Sequence, residues 1–409
     1  MEDLSRRRVL TLAGALGLVG AGMAASVADP TRAWAWSSRD SIAGTSTTTD
    51  PFWVWDPAPD AVAASIVQNG QEAAVNTAWQ SWINNSDPLP SGMPANLVSW
   101  LEQANKLPSW ADTTKLAQAQ VFNKRVANYL FVLNSLGSGI ESTVIPREAR
   151  NVYYSAGGND MKARAAKTFT FGYDLAATNA WGPSGHFIVT ANKTRLVHST
   201  VRYLLPQDSS WVAVTDETTP ISNGDILRTF HSVGTFAYTK MASWGIPISS
   251  TEADAYLHAW QVALYLLGVQ EQFIPVSWSA AQAQAAQILT PILAPTPQGV
   301  SLAHTLLGYF ESPTLGLDTG FISEFVRYLL SDQIGDWLGL LPRDFVSRGL
   351  IDAGWPTFVL LNEGLTATVP AGADLFNQLL KGFAMLYLSN GTSATYTPIT
   401  IPSANRIGS

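Results

Sequence analysis

Apolar residues along this chain recur mostly at three- and four-residue intervals, the period of a helix with one buried face. In STEADAYLHAWQVALYLLGVQ, Tyr256, Trp260, Leu264 and Val269 stand near one stripe, and Ser249 with Glu252 fits the capping box that opens a helix. The stretches TTKLAQAQVFNKRVANYLFVLNSLG, FISEFVRYLLSDQIGDWLGL and ADLFNQLLKGFAMLYLS repeat the pattern. Alternating apolar and polar runs between turn residues, which would mark strands, are scarce. The pattern predicts an all-α fold of about a dozen helices joined by short loops. No internal repeat and no long linker divides residues 51–388, so one large helical domain is expected there, between a polar lead-in at 36–50 and a polar C-terminal tail at 389–409.

Residues 1–35 depart from this pattern. Arg6, Arg7 and Arg8 precede an apolar run from Val9 to about Val27, and Ala33-Trp34-Ala35 supplies the small residues of a cleavage site. With Ser5 before the arginines, this is the layout of a twin-arginine signal peptide, so a secreted, extracellular protein is expected, its mature chain beginning near Trp36. A membrane anchor is the competing reading, but glycines interrupt the run and Asp29-Pro30 ends it. Beyond the leader no segment reaches the roughly 18 uninterrupted apolar residues of a membrane span. The twin-arginine route exports proteins already folded, often with a cofactor in place, which hints at one here.

A chain of 409 residues that is 46% hydrophobic can bury a large core. Its net charge of −7, with no basic stripe beyond the leader, argues against a nucleic-acid partner. There is no cysteine, which excludes disulfides, thiolate metal sites and covalent haem attachment through Cys-x-x-Cys-His. The spacings of a zinc hydrolase (HExxH, HxxxH) and of a nucleophilic serine turn (G-x-S-x-G) are also missing.

Charged residues make up only 13% of the chain, so their clustering in two nearby stretches stands out: MKARAAKTFTFGY at 161–173 and NKTRLVHSTVRYLLP at 192–206. On the first, Asp160 can cap a helix on which Arg164, Lys167, Thr168 and Phe171 fall at i, i+3, i+4 and i+7. A solvated basic face would account for the charges. Phe169, Phe171 and Tyr173 weaken that reading, and if the face is buried a guanidinium and an ammonium need partners there. On the second, Val197, Val201, Leu204 and Leu205 form an apolar stripe, Pro206 ends the helix, and Arg195, His198 and Arg202 project from nearly one face. A histidine flanked by two arginines on an apolar wall suits a b-type haem, whose iron takes an imidazole nitrogen and whose propionates accept guanidinium hydrogen bonds. A packed core histidine with unrelated arginines, or a site for an anionic substrate, fits the same spacing. Of the other histidines, His186 is expected in a loop, and His231, His258 and His304 as packed core residues.

Arg164, Lys167 and Thr168 in RAAKTFTFG, followed by His198 in RLVHSTVR, resemble the latex clearing protein family of rubber oxygenases. Chain length, the absence of cysteine, the twin-arginine leader and the helix DAYLHAWQVALYLLGV fit the same family, and the similarity extends over essentially the whole mature chain. The resemblance implies a globin-like helical core around a non-covalent b-type haem. It implies a dioxygenase that cleaves the double bonds of poly(cis-1,4-isoprene) internally with O2, leaving oligomers with aldehyde and ketone ends. It also implies His198 as the proximal iron ligand, Lys167 and Thr168 on the distal side with Arg164 nearby, and Glu148 in IPREARNVYY as the base.

Two points stay open. Burial would raise the pKa of Glu148, but Pro146 places it at a helix start, where the dipole opposes that rise. Lys167, if neutral, can cap the distal iron; alternatively it pairs with an acid such as Glu148. A monomer without stable membrane insertion is expected. A related haem oxygenase acting on a small soluble terpenoid or prenyl chain is the alternative enzyme, and a secreted haem or polymer binder the non-enzymatic one.

Overall fold

The computed structural model describes residues 50–309, 319–341, 343–377, 379–380 and 398–406; the leader and almost all of the lead-in expected before residue 51 lie outside them. Among the described residues there is no strand, an isolated antiparallel bridge joins Ser155 and Asn405, and the all-α expectation holds. No described helix is long and apolar enough to cross a membrane.

Helices α1 (Pro57–Gln68), α2 (Glu72–Trp79) and α3 (Ala95–Ala104) open the body. Their inward faces, with Val62, Ile66, Trp79, Leu97 and Leu101, build one core. Next come α4 (Thr113–Arg125), capped by Asp112, and α5 (Ala127–Val132). The candidate residues ride on α6 (Pro146–Tyr154), α7 (Met161–Ala176) and α8 (Phe187–Leu204). Asp160 caps α7, its Oδ1 accepting from the Ala163 amide at 2.9 Å, and α8 stops two residues before Pro206, both as the pattern predicts. α9 (Asn223–Phe230), α10 (Phe236–Ser243), α11 (Ser250–Leu266), α12 (Trp278–Ile288), α13 (Pro297–Gly308), α14 (Thr319–Leu329) and α15 (Phe345–Asn362) complete the body.

The Ser249–Glu252 capping box forms at the start of α11. That helix is buried on nearly every side, and it packs along α4 at the centre of the larger core with Phe122, Phe230, Phe325 and Trp355. α8 lies between the two cores. It gives Phe187, Ile188 and Ala191 to the larger and Val189 and Leu196 to the smaller.

Two features depart from the sequence pattern. Leu133–Ser138 and His231–Thr235 are π-helical, and the two segments touch. Gly137 in the first lets the Phe236 ring, just past the second, approach, since a Cβ there would stand 2.4 Å from that ring. Part of the expected polar tail is also woven into the body. Ile401 is buried in the smaller core, and Asn76 of α2 bonds both its amide and its carbonyl, at 2.8 and 3.0 Å.

Candidate active site

Glu148 occupies the first turn of α6. Pro146 begins that helix, where no amide donor is required, and Ile145 before it is extended. The Thr229 hydroxyl of α9 donates to Glu148 Oε1 at 2.8 Å. Deep placement raises the Glu148 pKa to about 7 and Asp225 adds to the rise, against the Thr229 bond and the guanidiniums of Arg228 and Arg164, which favour the charged form. Desolvation therefore outweighs the Thr229 bond and the two guanidiniums.

Arg164, from α7, reaches the same region, its charge acting on both Glu148 and His198. Its stem lies against Gly157, where a Cβ would come 3.1 Å from Cδ. Among the described residues the guanidinium has neither a hydrogen bond nor a carboxylate at ion-pair distance; burial lowers its pKa and Glu148 alone opposes. A cation so placed is expensive unless an anion arrives.

His198 projects from α8 toward that cation. Its Nδ1 is buried without a partner, and among the described residues no group bonds Nε2. The other four histidines are engaged. His231 bonds Thr235 and Gln284 at 2.9 Å, His258 accepts from the Asp112 amide at 2.8 Å, His304 meets the Leu338 carbonyl at 2.9 Å, and His186 faces Asp174 at 3.7 Å. Burial, then the charges of Arg202 and Arg164, push the His198 pKa down to about 3, so the ring is neutral and its lone pair available. Glu148, Arg164 and His198 all lie deep in the body yet retain accessible surface, as side chains lining an internal space do and tightly packed ones do not.

Lys167 and Thr168 share the face of α7 that carries Arg164. Thr168 back-bonds to the Arg164 carbonyl at 3.2 Å, and with Arg164 it lines an apolar cleft walled by Asn134, Ser135, Met161, Phe169 and Leu306. Lys167 does not pair with Glu148. Its Nζ donates to Thr400 Oγ1 at 2.9 Å, and burial lowers its pKa with Asp160 opposing.

Arg195 and Arg202 do not stand free for a ligand's carboxylates. Arg195 is bidentate to Asp56 at 2.5 and 3.0 Å and lies over the Trp100 ring. Arg202 bonds Asp60 at 2.7 Å, Ser199 at 2.7 Å and the Ile221 carbonyl at 3.0 Å. A propionate in the expected place would share guanidiniums already neutralised from α1. The helical spacing did bring Arg195, His198 and Arg202 to one side of α8, but that side also faces α1.

Thr229, Asn134 and Ser135 were not anticipated. Thr229 sits in LRTFHSV beside a histidine that reads as core, and nothing local links it to a carboxylate 81 residues away. Asn134 and Ser135 reach the cleft from the first π-helical segment, whose extra residue no periodicity announces.

Residues 127–353 match the family described as ER-bound oxygenase mpaB/B'/Rubber oxygenase, catalytic domain. The chain is 44% identical to a rubber oxygenase from Streptomyces sp. (strain K30) over 409 residues, 99% of this chain and all of that protein. A solved structure of latex clearing protein in the closed state superposes with a TM-score of 0.85 at 43% identity, covering 90% of this chain and 99% of that one. With the unpartnered His198, the free Arg164 and Glu148 converging inside a helical body of that shape, this chain belongs to the rubber oxygenase catalytic-domain family and is an oxidoreductase of the oxygenase class.

Proposed function

We propose that this chain is a secreted b-type haem dioxygenase that cleaves the double bonds of poly(cis-1,4-isoprene) internally with O2, giving oligo-isoprenoids with aldehyde and ketone ends. The names of its relatives supply the substrate class, and the leader alone supplies the export route. The observation that carries the cofactor is His198, a neutral imidazole without a hydrogen bond among the described residues. An oxygenase iron needs several ligands, yet no group of three His, Asp or Glu converges among the described residues. A single imidazole suffices if the iron arrives in a ring that fills its other positions, and without cysteine that ring is held non-covalently. The residues therefore fit a haem, which when bound supplies O2 chemistry beyond any side chain.

Around it the chain's own groups divide the work. Arg164 offers a guanidinium that makes no hydrogen bond among the described residues, and Thr168 a hydroxyl at the apolar cleft. Lys167, whose burial favours the neutral amine, is a donor able to cap the distal side. Glu148 holds the Thr229 hydrogen bond at Oε1 and keeps Oε2 to accept an allylic proton, with a pKa near working pH. Polyisoprene offers no polar handle, so its binding rests on apolar burial, at about 25 cal/mol per Å².

Purified protein is expected to show a Soret band and to consume O2 with latex, releasing carbonyl-ended oligomers. His198→Ala should lose haem, whereas Arg164→Ala and Thr168→Ala should retain it and lose turnover. Full haem occupancy without His198 would overturn the ligand assignment. Turnover of short prenyl compounds with none on latex would move the substrate to soluble terpenoids.

A further inference from the structure

The segment 398–406 is tied to four helices, three of which carry site residues. Asn76 of α2 brackets Ile401 with two hydrogen bonds. The Arg406 amide donates to the Tyr154 carbonyl at the end of α6 at 2.9 Å, and Ser155 pairs with Asn405. Asn405 Nδ2 donates to the Leu204 carbonyl at the end of α8 at 2.7 Å. The fourth tie is to α7, where Thr400 Oγ1 receives Lys167 Nζ at 2.9 Å. Ile401, beside Thr400, is only 3% exposed, so the hydroxyl stands on an anchored backbone.

Lys167 has a long flexible stem and few alternatives. Glu148 is held by Thr229 rather than by the lysine, and the charges that act on His198 are those of Arg202 and Arg164, not of Lys167. The amine is thus drawn toward the C-terminal strap. We propose that Thr400 is a positioning residue for Lys167: the strap holds the amine back from the space in front of His198 and so sets how often the lysine occupies it. This rests on the reading of Lys167 as a distal donor. The strap contributes an acceptor in one conformation only, which is what a population shift requires. Loss of one such hydrogen bond moves the balance about five-fold.

The holoprotein tests this with imidazole, a small ligand that competes for the distal position, followed by its absorption change. Thr400→Val keeps the shape and removes the acceptor; Thr400→Ser keeps the hydroxyl. Thr400→Val is expected to weaken imidazole binding about five-fold and to shift the resting spectrum toward the amine-bound form. Thr400→Ser should stay close to the parent, and in a Lys167→Ala background Thr400→Val should change nothing. Imidazole affinity unaltered by Thr400→Val, or altered equally without Lys167, would overturn the proposal. A parent protein with no Soret band would sink the haem reading instead, so the two failures are told apart.

Discussion

At Glu148 two effects of opposite sign meet: burial penalises the carboxylate, and the Thr229 hydroxyl, 2.8 Å from Oε1, stabilises it. A general base works only when deprotonated, so activity should rise with pH through about 7, the value to which burial lifts this group. Thr229→Val removes the stabilising bond, so the pKa climbs further and the activity rise moves to higher pH by about one to two units, since a hydrogen bond to a charged group is worth about 1.5–3 kcal/mol. The pH profile of turnover measures it, and an unmoved midpoint would show that Thr229 does not tune the base. Glu148→Gln should flatten that limb altogether. At this scale helical spacing puts His198 and Arg164 on usable faces, but the family resemblance, not the spacing, is what singles them out. Thr229 and Thr400 were not legible in the sequence, for their partners lie 81 and 233 residues away and no local pattern encodes a tertiary hydrogen bond.

Helices with a continuous apolar stripe, such as α11, could be read from their period, and their caps fell where Ser249, Glu252 and Asp160 placed them. The two π-helical segments could not, because one inserted residue shifts the phase of a helix without altering the kind of residues in it. Their trace is steric. At Gly137 an added methyl would lie 2.4 and 2.9 Å from two atoms of the Phe236 ring, so either the ring or the π segment must move. Gly137→Ala should lower stability by about 1–3 kcal/mol, the cost of overpacking a filled site, despite the better helix propensity of alanine. Gly349→Ala on α15, with nothing within 4 Å of the new methyl, should gain up to about 1 kcal/mol. Urea midpoints of the pair decide the matter, and equal shifts would remove the steric account. Because Asn134 and Ser135 ride on the same segment, the Gly137 change should also disturb the apolar cleft.

Over the whole molecule, the rotation of α8 about its axis decides whether His198 faces the site, and ion pairs to α1 fix that rotation. Asp56 meets Arg195 and Asp60 meets Arg202, in the same order along both helices. Sequence reading gave these arginines to a haem because they flank His198 on one helical face; their acidic partners Asp56 and Asp60 lie 139 and 142 residues upstream, in a stretch with no other signal. The pairs differ in consequence. The Arg202 side chain is 3% exposed while Asp60 is 31% exposed, so removing the acid strands a buried cation, whereas removing the arginine leaves an acid that water can reach. Asp60→Ala should therefore cost about 3 kcal/mol. Adding Arg202→Met to that variant should recover part of the loss, because the stranded charge is gone and only the Ser199 and Ile221 contacts remain unmade. Ile221 carries a left-handed backbone, φ 56°, unusual for a β-branched residue, with its carbonyl on Arg202 just ahead of α9. The same variant should thus loosen the approach to Thr229 as well as the seat of His198. Thermal midpoints of the single and double variants test the stability ordering, and haem retention tests the link to His198. A double variant no more stable than Asp60→Ala would mean that Arg202 serves α8 through its neutral contacts, not through its charge.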